Sequence, residues 1–82
     1  MNPYEELANA IIEQAVKDFR IALVGNLRYP SNKEHIKNLK ELQEFFLSGW
    51  FSTLTDLDGE YLMNRVVKMV KKEMAAWQQK NI

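Results

Sequence analysis

The sequence predicts an all-α protein: a three-helix bundle with helices over residues 3–28, 32–48 and 58–79. Three observations lead there. Apolar residues recur at helical spacing in three separate segments. Glycine and proline are scarce, at three and two residues, which argues against a loop-rich or all-β fold. Cap and stop signals fall between the periodic segments.

In the first segment Asn2 is placed to cap a helix, Pro3 occupies its first position, and Glu5 falls where a capping-box acid would. Leu7, Ala8, Ile11, Ile12, Ala15, Val16, Phe19, Leu23 and Leu27 then follow helical spacing. Gly25-Asn26 offers an early C-cap, but the apolar face continues to Leu27. The helix is therefore expected to reach Arg28 at a glycine cost of ~1 kcal/mol. Tyr29-Pro30 stops it, because the residue before proline avoids the helical region.

Ser31-Asn32-Lys33-Glu34 reads as a capping box, with Ser31 as N-cap of the second helix. Its expected buried stripe is Ile36, Leu39, Phe46 and Trp50, with Gln43 on the same line and Leu42 and Leu47 at its flanks. Lys33, Lys37 and Lys40 precede Glu41 and Glu44, the reverse of what the helix dipole favours. That small local cost suggests an external partner. Ser48-Gly49 ends or bends this helix, and a connector runs to Asp58. Thr55 or Asp58 could cap the third helix. Asp58 is preferred, since Leu57 and Leu62 would then staple across the cap. Leu62, Val66, Val70, Met74 and Trp77 give its buried stripe, Arg65, Lys68 and Lys72 the opposite face, and Lys80-Asn81-Ile82 is expected to fray. An elongated helical hairpin with a third helix, paired as a homodimer, is the alternative architecture.

Length and composition narrow the function. Eighty-two residues form one domain, 1–82, with a thin core that needs good helix packing or self-association. Cysteine is absent and His35 is the only histidine, so neither a disulfide nor a zinc site is expected, and no cofactor is implied. The longest apolar run, Ile21-Ala22-Leu23-Val24, is far too short to span a membrane. The chain opens with acidic residues where a signal peptide would be basic, which points to the cytosol. Net charge is zero but segregated: −3 over residues 1–18, +4 over 19–40, −5 over 41–60 and +4 over 61–82.

Catalytic chemistry finds little footing. A nucleophile system needs a base oriented beside it, and the single imidazole sits in the first turn of an amphipathic helix. Gly25, Gly49 and Gly59 are isolated, so no phosphate loop is present. Asp56-Leu57-Asp58-Gly59-Glu60 superficially matches a calcium loop, but aligning Gly59 with the obligate glycine puts Leu54 and Arg65 at the first and last ligand positions. The acids are better explained as caps of the third helix. Arg65, Lys68 and Lys72 could contact nucleic acid. The long connector before them and the zero net charge argue against a helix-turn-helix, and a solvated helix back is favoured.

The aromatic block Phe45, Phe46, Trp50 and Phe51 is the most distinctive feature. Phe46 and Trp50 share a face and are expected in the core, whereas Phe45 points away from it. Phe45 is therefore either covered by the third helix or part of a contact surface with an anionic rim of Asp56, Asp58 and Glu60. Core packing is favoured for the block as a whole.

Residues 45–62, Phe-Phe-Leu-Ser-Gly-Trp-Phe-Ser-Thr-Leu-Thr-Asp-Leu-Asp-Gly-Glu-Tyr-Leu, resemble a family of short uncharacterised proteins common in prophages and mobile elements of Gram-positive bacteria. Its pattern is approximately FF-x-S-x-W-F-x-x-LT-x-LDGE-x-L. Residues 15–23 also resemble that family's first helix. Val24-Gly25-Asn26 departs from it, standing where relatives tend to have a charged helical run. The resemblance implies a small phage-type accessory protein that binds and blocks or redirects a larger one. The expectation is thus a non-enzymatic interaction module using Phe45, Trp50, Phe51, Asp56, Asp58, Glu60 and Tyr61, with nucleic-acid binding through Arg65, Lys68 and Lys72 as the alternative.

Overall fold

A computed structural model describes residues 2–80, with side chains described through residue 76. Among the described residues the chain is all-helical, with four helices: α1 (Pro3–Arg28), α2 (Lys33–Phe46), α3 (Gly49–Leu54) and α4 (Gly59–Lys80). The Trp77 side chain and the residues beyond Lys80 lie outside the described residues, and with them the expectations of burial and fraying there.

Local signals fix most of the ends. Asn2 Oδ1 accepts the Glu5 N–H at 2.8 Å, and Pro3 opens α1 as expected. α1 runs through Gly25 to Arg28 before Tyr29, whose N–H returns to the Gly25 carbonyl. The cap of α2 is a correction. Asn32, one residue later than Ser31, accepts from the N–H groups of Glu34 and His35 at 2.9 and 3.2 Å. Both residues are good caps, and Asn32 is the one in extended backbone immediately before the helix. Asp58 caps α4 as expected, accepting from Glu60 and Tyr61. Leu57 remains largely exposed.

α1 and α2 lie antiparallel. Gly25 meets His35 near their connection, and Phe19 meets Phe46 farther down. Small Ala8, Ala15 and Ala22 are buried along α1 between the larger Ile12, Phe19 and Leu23. α4 follows the direction of α1: residues 16–20 share a cleft with 66–73, and residues 24–28 with 70–74. The result is elongated, 49 × 26 × 18 Å. Phe19, Phe46, Phe51 and Val70 are its most deeply buried side chains.

The largest departure from expectation lies at residues 47–54. α2 does not extend to 48. It stops at Phe46, and a separate short helix begins at Gly49. Ser48 makes this break a defined joint, because its Oγ donates to the Phe45 carbonyl at 2.6 Å and accepts the Phe51 N–H at 3.2 Å. One hydroxyl therefore closes α2 and caps α3. Helical phase is lost across the joint, so extrapolating α2's stripe to Trp50 fails. Phe51 turns inward at 2 % exposure and Trp50 stays 60 % exposed. Ile36, also expected in the stripe, is 48 % exposed, because α4 contacts α2 only sparsely.

Two glycines mark close approaches. A Cβ on Gly59 would lie 1.9 Å from the Phe46 carbonyl oxygen, so α4 can begin against the end of α2 only with glycine there. A Cβ on Gly25 would lie 2.6 Å from His35 Nδ1, but that ring is half-buried and can swing aside. Urea denaturation should therefore separate them. Gly59→Ala is expected to lose about 1–3 kcal/mol from overpacking against backbone. Gly25→Ala is expected to change stability by less than about 1 kcal/mol, since a helix-interior alanine offsets the displaced ring.

Candidate functional site

The aromatic block separates into two populations. Phe45, Phe46 and Phe51 join Phe19 in one cluster, with centroid separations of 5.5–5.8 Å between Phe46 and Phe51 and between Phe45 and Phe51. Phe19 meets Phe46 edge-on at 5.7 Å. Each such pair contributes about 0.5–1.5 kcal/mol beyond its buried area. Phe51 is thus core, not a contact residue, and Phe45 is half-buried against the same cluster. The expectation that Phe51 presents a docking surface is corrected, whereas Phe45 keeps part of its ring exposed. Phe45 points off the α2 stripe, and α3 folds back to supply the ring that meets it.

Trp50, Leu47, Leu57 and Tyr61 are the side chains the joint leaves outside. Leu57 and Tyr61 are 59 % and 60 % exposed. An open cleft of about 340 Å³ runs between the end of α2, α3 and the start of α4, with Leu47, Ser52, Leu57 and Glu60 on its walls. Asp56, Asp58 and Glu60 are exposed beside it. Asp58 is committed to capping, whereas Asp56 and Glu60 are free to face a ligand. No lysine or arginine occurs from Glu41 to Asn64, so this stretch is anionic, with the Arg65 guanidinium at its edge. Clustered exposed apolar groups with a charged rim have the make-up of an interaction surface. Tyr61 also accepts from Arg65 Nη1 at 3.2 Å, with that guanidinium 5.9 Å from its ring centre.

The remaining candidates lie elsewhere. Arg65, Lys68 and Lys72 are all exposed along α4, as expected of its outer face. His35 stacks on Tyr29, with ring centres 6.3 Å apart, lies against Gly25, and lines an open cleft with Asp18, Asn38 and Glu41. Among the described residues no group of three or more His, Cys, Asp or Glu side chains is placed to hold a metal ion. No described helix is long and apolar enough to cross a membrane. No protein-family model, curated protein or solved structure matches the chain.

The fold also gathers charge. Because α2 runs opposite to α1 and α4, the acidic start of α1, the acidic end of α2 and the acidic start of α4 all lie at the α3 end. The basic residues Arg28, Lys33, Lys37, Lys68 and Lys72 lie toward the other end.

Truncation should distinguish the two aromatic populations. Phe51→Ala is expected to cost about 3–5 kcal/mol, whereas Trp50→Ala should stay within about 1 kcal/mol of the parent by thermal and urea unfolding. Comparable losses would place both rings in the core.

Proposed function

We propose that this chain is a small non-enzymatic protein-interaction module of phage or mobile-element type, which binds and modulates a larger protein through its α3 end. In this reading the scaffold is a three-helix bundle of α1, α2 and α4, with α3 as its specialised connection. The observation that carries it is the orientation of α3. A buried Phe51 anchors six residues whose next-door Trp50 is held in solvent, with Leu47, Leu57 and Tyr61 also exposed at this end and Asp56 and Glu60 among its acids. Exposed tryptophan and tyrosine on a fixed backbone are typical of residues that dominate binding energy. The anionic rim would steer the module toward a cationic patch and reject anionic ones. The resemblance of residues 45–62 to phage-type proteins supplies the setting.

The test is affinity capture from nuclease-treated lysate of a Gram-positive bacterium, with parent and Trp50→Ala baits side by side. A protein retained near stoichiometry by the parent and lost, by about tenfold or more, on Trp50→Ala is the expected outcome. Retention indifferent to Trp50→Ala, or no retained protein at all, would overturn the reading.

A further inference from the structure

We propose that the open groove along the seam of α1 and α2 receives an amphipathic helix of another protein, one that carries a lysine or arginine between two apolar side chains. Two clefts make up the groove, of about 400 and 290 Å³, and Asp18 and Leu42 line both. It lies on the flank of α1 away from α4. Val16, Arg20 and Val24 share clefts with α4, whereas Ile11, Ala15, Asp18 and Ala22 line the groove. Those four positions recur at steps of three and four, and so do His35, Asn38, Leu42 and Phe45 on its α2 wall. Two antiparallel rows of this kind form the trough into which a third helix packs its ridge of side chains. Residues 11–22 span about 16 Å, room for about three helical turns.

The lining sets the chemistry of the occupant. Ile11 and Phe45 stand toward one end of the groove. Ile21 stands toward the other at 68 % exposure, the most exposed large apolar side chain among the described residues. Asp18 and Glu41 lie between them, and no lysine or arginine lines either cleft. Glu41 has no ion-pair partner among the described residues, and Asp18 accepts from the neutral Gln14 amide at 2.9 Å. A helix that covers the apolar ends shields these carboxylates from water, so a cation seated between them gains more than at an open surface. The clefts on the α4 flank differ, because Arg20 and Glu73 pair across them and their charges are already matched. A second copy does not fit the groove. Its own groove would bring Asp18 and Glu41 of both chains together with no basic side chain in the lining to neutralise them.

This inference goes beyond the α3-end reading and does not rest on it. The α2 wall of the groove ends at Phe45, whereas Trp50, Leu57 and Tyr61 lie past the Ser48 joint. It also gives the exposed part of the Phe45 ring a place, as one wall of the trough. Either reading can fail alone, because one is read by peptide binding along residues 11–45 and the other by capture through Trp50.

Backbone amide shifts of the full chain, followed by NMR during peptide titration, test it. The probe is a helical peptide of about fourteen residues, with leucines along one face, one lysine at the centre of that face, and alanine and glutamine elsewhere. A control peptide carries glutamate in place of the lysine. The lysine peptide is expected to shift residues 11–22 and 35–45, and to bind about tenfold or more tightly than the control. Asp18→Lys with Glu41→Lys should reverse that preference. Both side chains are exposed, and reversal would itself show that the variant folds with its groove intact. The parent's preference between the two peptides stands as a separate measurement if the variant does not fold. Shifts centred on residues 47–61, equal affinity for the two peptides, or no shift at about 1 mM peptide would overturn the proposal. Concentration-dependent shifts at residues 11–22 and 35–45 without peptide would assign the groove to a second copy and overturn it as well.

Discussion

The close approach of Gly59 to the Phe46 carbonyl is the constraint on which the rest of the structure depends. It brings the start of α4 against the last residue of α2, with Phe51 of α3 filling the space beside them. Ser48 makes this geometry reachable by ending α2 and starting α3 with one hydroxyl. Phe19 then ties the joint to α1, and the four phenylalanines become a single packed unit. In a chain this short, one such unit supplies much of the available core. Everything that distinguishes the α3 end, including the outward Trp50, is a consequence of how this joint is closed.

What could be read in the sequence was what is decided locally. The Asn2 cap, Pro3, the stop at Tyr29-Pro30 and the Asp58 cap each depend on a few adjacent residues, and each appears where expected. The misses share a different cause. Periodicity identifies a face but not whether another element arrives to cover it, so Ile36 and Leu7 belong to apolar stripes and yet remain exposed. Carrying the α2 phase across Ser48 puts Trp50 inward on the sequence pattern alone. A break there rotates each following side chain, and Phe51 takes the core position instead. Ser48-Gly49 announced a break, but the hydroxyl contact that sets the new phase is tertiary in effect. Gly59 shows the same limit: its need for glycine comes from the Phe46 carbonyl, thirteen positions away.

Charge behaves similarly. Residue by residue, the lysines at the start of α2 look misplaced against the dipole, at a cost of a few tenths of a kcal/mol. Set in the antiparallel fold they agree with the neighbouring helices, and the molecule acquires an acidic end and a basic end. The acidic end coincides with the exposed Trp50, Leu57 and Tyr61, so steering and docking groups share one location. Neither property requires chemistry at the site. A fixed aromatic anchor, an anionic rim and a small rigid scaffold are sufficient for recognition.

The most direct measurement of this account is acrylamide quenching of Trp50 fluorescence in the Trp77→Phe variant, where Trp50 is the sole tryptophan. The joint at Ser48 predicts red-shifted emission and quenching close to that of a solvent-exposed indole. Blue-shifted emission with strong protection from quencher would mean that α2 continues through Ser48 and carries Trp50 into the core, contradicting both the joint and the surface built on it.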